Sequence, residues 1–200
     1  MMSWKSSGAA LLLAYGLLAG TSGTKIAFTQ EKKDAGTAAA ASGKSTADMP
    51  AAKPADVKSL DAIVAAVYDV ISGPPGERDW NRFNSLFTKD ARLIAVRAPK
   101  DGGKPSLVVM TPADYAAHAG GYFKEHGFFE HELSRKTDSF GAMTHIYTTY
   151  ESRETKDGKP IDRGINSMEF FYDGTRWWCV QIYWDSERAG NPIPEKYLGK

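Results

Sequence analysis

The chain has 200 residues, of which 42% are hydrophobic, 24% charged and 12% aromatic; this suits one or at most two soluble domains and excludes a long disordered chain or a transporter. Twenty-five basic residues against 24 acidic ones leave a formal charge of +1, so no overall field gathers nucleic acid or an anionic membrane. Recognition has to come from a local site.

Lys5 supplies a positive start, and the run from Ala9 to Ala19 is apolar and followed by small residues. At about a dozen residues the run is well short of the roughly 20 that a spanning helix needs, so residues 1–29 read as a secretory signal peptide, with an uncleaved anchor as the alternative. Export to the periplasm or the exterior follows as the expectation, with no membrane contact after cleavage. No Cys follows Leu18-Ala19-Gly20, which removes the lipid-anchor pattern. From Gln30 to Lys58 the chain is rich in Ala, Lys, Ser, Thr and Gly, without an aromatic residue. Such a stretch buries too little to offset its backbone entropy and reads as a disordered tether, leaving residues 59–200 as the folded domain.

Within the domain, Leu60, Ile63, Val64, Val67, Tyr68 and Ile71 recur at helical spacing behind Ser59 as N-cap, and Gly73-Pro74-Pro75-Gly76 stops that helix. A shorter helix carries Trp80, Phe83, Leu86 and Phe87 on one stripe. Arg92–Ala98 and Leu107–Met110 read as a hairpin with a loop at its tip. Thr111-Pro112-Ala113-Asp114 has the form of a capping box with Pro at the first helical position, and the helix it opens runs to about His126, with a kink or early stop expected at Gly120-Gly121. Thereafter Phe128–Lys136, Ala142–Thr155, Pro160–Tyr172 and Thr175–Asp185 all read as strands. The tail from Asn191 to Leu198 contains two Pro and suits an extended strap anchored by Ile193, Tyr197 and Leu198.

Asp157-Gly158 and Asp173-Gly174 separate the last three strands, and Asp-Gly between alternating runs signals a two-residue hairpin turn. Turns of that length set His145 opposite Phe170, Tyr147 opposite Met168, and Asn166 between Thr149 and Gln181. Alternation then gives one face to His145, Tyr147, Asn166, Trp177, Gln181 and Tyr183, and the other to Arg163, Glu169, Trp178 and Trp184. Both faces are rich in apolar side chains, so helices are expected over one and a second copy of the chain over the other, making a homodimer through the sheet.

Two helices, a hairpin, a third helix and a long meander closing on Arg176-Trp177-Trp178-Cys179-Val180-Gln181-Ile182-Tyr183-Trp184 resemble the nuclear transport factor 2-like superfamily, and most of all its SnoaL-like, ketosteroid-isomerase-like bacterial members. The resemblance covers residues 59 to about 198 and rests on the element order and on the final strand with its Gly-x-x-Trp-Trp start at Gly174. It implies an α+β fold in which three N-terminal helices pack on a strongly curved antiparallel sheet that forms a cone-shaped pocket, with dimers through the outer face. It also implies a general base, an Asp before a Pro at the end of the first strand. The corresponding place here is Ala98-Pro99, and Ala cannot accept a proton.

What remains is a set of polar side chains on an otherwise apolar face. His145, with an ordinary pKa of about 6.5, suits a general base, with Tyr147 or Asn166 holding a developing oxyanion. Asn166, Gln181, Tyr183 and Trp177 are the expected ligand contacts, joined by Glu169 should the pocket lie on the other face. The alternative is that His145 is a core residue satisfied by a backbone carbonyl. In Glu130-His131-Glu132 alternation points the His away from both acids, so the three cannot share a metal. The single cysteine, Cys179, excludes an internal disulfide and suits a small buried side chain. Neither cofactor nor metal is called for. The function expected is therefore binding of a small hydrophobic molecule, with isomerase, lyase or hydrolase activity through a His base, or else a non-catalytic dimeric interaction module.

Overall fold

Four helices pack on one face of a six-stranded sheet. The computed structural model describes residues 49–99 and 103–199; the signal-peptide segment, most of the tether and the tip of the first hairpin lie outside the described residues. Helix α1 (Pro54–Val57) buries Val57. Val57, from the stretch expected as tether, thus packs into the core. Helix α2 (Leu60–Ile71) starts where the Ser59 hydroxyl accepts the Ala62 amide at 3.1 Å and buries Ile63, Val64, Val67, Tyr68 and Ile71. Helix α3 (Trp80–Ser85) is capped by Asp79. Arg82 ties the three together, donating to Asp56 at 2.8 and 3.0 Å and to Asp69 at 2.5 Å. Phe87, expected on the stripe of this second helix, instead opens a strand opposite Cys179.

Strands β1 (Phe87–Arg97) and β2 (Ser106–Met110) form the hairpin, and α4 (Pro112–Glu125) follows behind the expected capping box of Thr111 and Asp114. The helix runs unbroken through Gly120-Gly121, where the Trp80 indole packs 3.7 Å from the space a Gly120 Cβ would occupy. Strands β3 (Phe129–Phe140), β4 (Met143–Arg153), β5 (Pro160–Tyr172) and β6 (Trp177–Ser186) make the meander. This is the element order that the resemblance implies. The strand order is β2-β1-β6-β5-β4-β3, and β1 runs parallel to β6. The sheet is thus mixed and open rather than wholly antiparallel, because the last strand of the meander returns beside the first strand of the hairpin in the same direction.

The register departs from the expectation in a way that matters for the site. Between β4 and β5 the Gly158 amide donates to the Thr155 carbonyl at 2.9 Å, so Gly158 closes a turn begun at Thr155 instead of sitting at its centre. Together with an irregularity at Ser152/Arg153, this sets His145 opposite Glu169 and Tyr147 opposite Ser167. The next turn spans Asp173 to Arg176, with Gly174 at φ 95°. Its Asp173 carboxylate accepts from the Thr175 amide and hydroxyl, the Arg176 amide and the Trp178 indole, at 2.6–2.8 Å. Against a burial that would raise it, those bonds hold the Asp173 carboxyl well below the usual carboxylate range. A bulge at Glu169/Phe170 then sets Asn166 opposite Trp184 and Met168 opposite Ile182. A slip of one residue moves a whole row of side chains to the other face.

The concave face consequently carries Ile146, Thr148, Tyr150, Asn166, Met168 and Ile182, packed with Phe83, Phe87 and Phe123 from the helical side and β1. Each fully buried Phe, Leu or Ile contributes about 1.5–3 kcal/mol. Cys179 is among them, fully buried, and its thiol is pushed up by that burial. On the convex face the tail crosses as a strap: Thr149 Oγ1 donates to the Tyr197 carbonyl at 2.6 Å, the Tyr197 ring lies 4.9 Å from that of Tyr147, and Ile193 is buried.

Candidate functional site

A cavity of about 430 Å³ lies between the concave face and helices α2 to α4. Most of its wall is apolar: Val67, Phe83, Leu93, Met168, Ile182 and Trp184 contribute side chains. Its polar groups include Glu130, Ser152, Asp162 and Asn166 from β3, β4 and β5, and Asp185, Ser186, Glu187 and Arg188 from the end of β6 and the residues after it.

Glu130 on β3 pairs with Ser152 on β4, and Ser152 pairs with Asp162 on β5. All three line the cavity, so two acids flank a hydroxyl in one row across adjacent strands. Tyr150 Oη and Ser186 Oγ both donate to Asp162 Oδ2, at 3.0 and 2.9 Å. Gly164 makes room for this arrangement, since a Cβ there would lie 2.3 Å from the Asp185 carbonyl oxygen and 2.6 Å from Tyr150 Oη. Burial raises the Asp162 carboxyl, opposed by the hydrogen bonds from Ser186 and Tyr150.

Glu130 is held by its backbone. Its amide donates to Ser72 Oγ at 3.0 Å, and its carbonyl faces the same hydroxyl at 3.2 Å, fastening β3 to the end of α2. Among the described residues no hydrogen bond reaches its carboxyl, which lines the cavity from a half-buried side chain. Burial pushes that carboxyl up to about 8, with the charge of Asp162 adding to the rise. A carboxylic acid that is neutral at pH 7 and ionises within one unit of it can either donate or accept a proton. Deeper in, Asn166 Nδ2 donates to Tyr68 Oη at 3.1 Å, and Tyr68 Oη lies 3.4 Å from Thr148 Oγ1.

Of the catalytic and ligand-contact residues expected from the sequence, Asn166 alone lines this cavity; Ala98, at the place of the missing base, lines it as well. His145 lies on the convex face, Nδ1 2.7 Å from Glu169 Oε1, with both side chains about one-third exposed (37% and 36%). Tyr147 is beside it under the tail, with ring centres 6.3 Å apart. Gln181 pairs with Glu169 in the register, and Tyr183 stands exposed nearby. Trp177 packs against Tyr172 at the turn end of the sheet, 5.3 Å between ring centres. The convergence of His145 and Tyr147 with Asn166 is therefore corrected by the one-residue slip, which also brings Glu169, expected on the opposite face, directly across from His145. Arg163 reaches Glu151 at 3.8 Å and Glu187 at 3.5 Å.

The residues that sequence reasoning passed over are Glu130 and Asp162. The alternation in Glu130-His131-Glu132 was informative: His131 is exposed on the outside while Glu130 turns inward. An acid alternating in step with Phe128 was the available signal, since it shares the face of a buried aromatic residue.

No family model and no curated protein matches the chain. Among solved structures the chain is similar to the crystal structure of LinA, at 8% identity over 66% of this chain and 85% of that one, with a TM-score of 0.47. It is similar to a protein of unknown function with a cystatin-like fold from Nostoc punctiforme, at 7% identity over 65% and 90% of the two chains, with a TM-score of 0.49. A candidate ketosteroid isomerase from Shewanella frigidimarina is similar at 10% identity, 62% and 91% coverage and a TM-score of 0.42. These are similarities of backbone arrangement, and the chemistry must be argued from the residues.

Proposed function

We propose that the domain binds a small, mostly hydrophobic molecule in this cavity and that the Glu130 carboxyl is the group that exchanges a proton with it. The observation that carries the reading is a 430 Å³ cavity with a mostly apolar wall, in which a row of polar groups crosses three strands and the Glu130 carboxyl has no hydrogen-bond partner among the described residues. Pockets of this size suit small ligands whose orientation is fixed by a few convergent polar groups. Leaving such a carboxyl unmatched is costly, and a ligand that bonds to it recovers part of that cost.

The reading is tested with a neutral apolar probe, cyclohexylmethanol, followed by NMR. Saturable shifts are expected at Met168, Ile182 and the Trp184 indole, and Val108→Trp, which puts a large side chain into the cavity wall, should abolish them. Absence of saturable binding, or binding indifferent to the filled cavity, overturns it.

Export remains part of the proposal, on the strength of Lys5 and the short apolar run behind it. The product isolated from the producing cell should begin between residues 20 and 31; soluble cytoplasmic protein retaining Met1 would refute this.

A further inference from the structure

We propose that the molecule bound is a hydrophobic amine, held as its ammonium ion between the carboxyls of Glu130 and Asp162. This rests on the reading of the cavity as a binding site and names the chemistry of its occupant.

Glu130, Ser152 and Asp162 stand on three neighbouring strands, which sets the outer two Cα atoms on the order of 10 Å apart. Two acids approaching from either side of a hydroxyl offer acceptors from several directions, matching a head group with three donors and no acceptor. Negative charge nearby adds to the burden on each acid: that of Asp162 raises Glu130, and that of Asp185 raises Asp162. A cation placed between them reverses the sign of that interaction for both.

The surroundings point the same way. Facing Glu130 are Tyr68 from α2, Tyr115 from α4, Tyr150 from β4 and Asp162 from β5, while His118 of α4 lines the same cavity with its Nδ1 2.7 Å from the Asp114 carbonyl oxygen. Burial pushes all three phenols up, so none of them ionises near neutral pH. Tyr115, Tyr122 and Trp184 supply aromatic surface to the wall, a favourable environment for a desolvated cation. The arginines that line the cavity belong elsewhere: Arg188 donates to Asp185 at 2.5 and 3.1 Å, and Arg97 lies on β1, four strands from β3 in the sheet order.

The proton balance follows. An alkylammonium ion keeps its proton up to about pH 10. Glu130 in the empty cavity keeps its own up to about pH 8, so below that pH each ammonium bound displaces one proton from the carboxyl to the buffer. Cyclohexylmethylamine, cyclohexylmethanol and cyclohexanecarboxylate share one apolar body and differ in the head group. Calorimetry of the full chain with each, at pH 6.5 and 8.5 and in two buffers of different ionisation enthalpy, separates the possibilities.

The amine should bind at least tenfold more tightly than the alcohol at pH 8.5. Its affinity should rise on the order of 20-fold from pH 6.5 to 8.5, with release of about one proton at pH 6.5, while the alcohol stays flat. Glu130→Gln should remove both the preference for amine over alcohol and the pH dependence of amine binding. Alcohol binding without preference for amine overturns the amine assignment and leaves the cavity reading intact, as does tighter binding of the carboxylate. Failure of all three probes overturns both. An amine preference that survives Glu130→Gln also refutes the assignment.

Discussion

Glu130 is a carboxyl that its surroundings keep protonated across neutral pH, and such a group leaves a signature in stability as well as in binding. Its folded value is raised from 4.5 to about 8, so between those limits the unfolded chain gives up a proton that the folded chain retains. Stability is therefore fully present below about pH 4.5 and declines as pH rises towards 8 through this group, by no more than about 1.4 kcal/mol per pH unit. Urea midpoints at pH 5.5 and 7.5 should fall for the natural chain, and the fall should be clearly smaller in Glu130→Gln; equal falls in both would show that Glu130 ionises normally. His145 behaves differently at the same scale. Its pairing with Glu169 is partly solvated, and pairs of that kind contribute at most about 1 kcal/mol, so it belongs to the outer surface.

At the scale of elements, the outcome was decided by two turns. Helices α2 and α4 were legible because their caps are local: Ser59, and Thr111 with Asp114, bond to amides three residues away. The strands were legible from alternation. The register was not, because Asp-Gly serves several turn types, and the choice among them rests on contacts outside the dipeptide. Asp173 takes a longer turn because four donors, including the Trp178 indole, converge on its carboxylate. Gly158 takes the last position of its turn. Each choice displaced the pairing by two residues next to the turn; the irregularity at Ser152/Arg153 took one back, and the bulge at Glu169/Phe170 added one. The face of Asn166 was thereby separated from that of His145, and no single-strand pattern carries that information.

Gly164 is where the register can be tested, since Tyr150 and the Asp185 carbonyl both close over it. Gly164→Ala should cost more than about 2 kcal/mol in urea unfolding, a larger loss than surface substitutions produce. A neutral effect would mean that β5 does not pair with β4 and β6 as described.

For the whole molecule, the question is what covers the convex face. The tail covers the part near Thr149 and Tyr147, while Phe140, Met143, Phe171, Val180 and Tyr183 remain exposed. We propose that a second copy covers them, in keeping with the expectation from two apolar faces and with apolar patches as interaction sites. Sedimentation at micromolar concentration should give about twice the monomer mass, reduced to the monomer by Phe140→Asp combined with Phe171→Asp; a natural chain that sediments as a monomer would refute it. In that arrangement His145 and Glu169 lie at or near the contact, and the cavity on the other side works within each subunit.

The central claim is that the cavity presents one proton-exchanging carboxyl to a bound molecule, and it is most directly tested by following the Glu130 carboxyl carbon by NMR, with and without saturating cyclohexylmethylamine. The account predicts a midpoint near pH 8 in the free protein that moves when the probe binds, in the chain carrying the natural Glu130 and in no other glutamate resonance to the same extent. A midpoint near 4.5 that the probe leaves unmoved would contradict it.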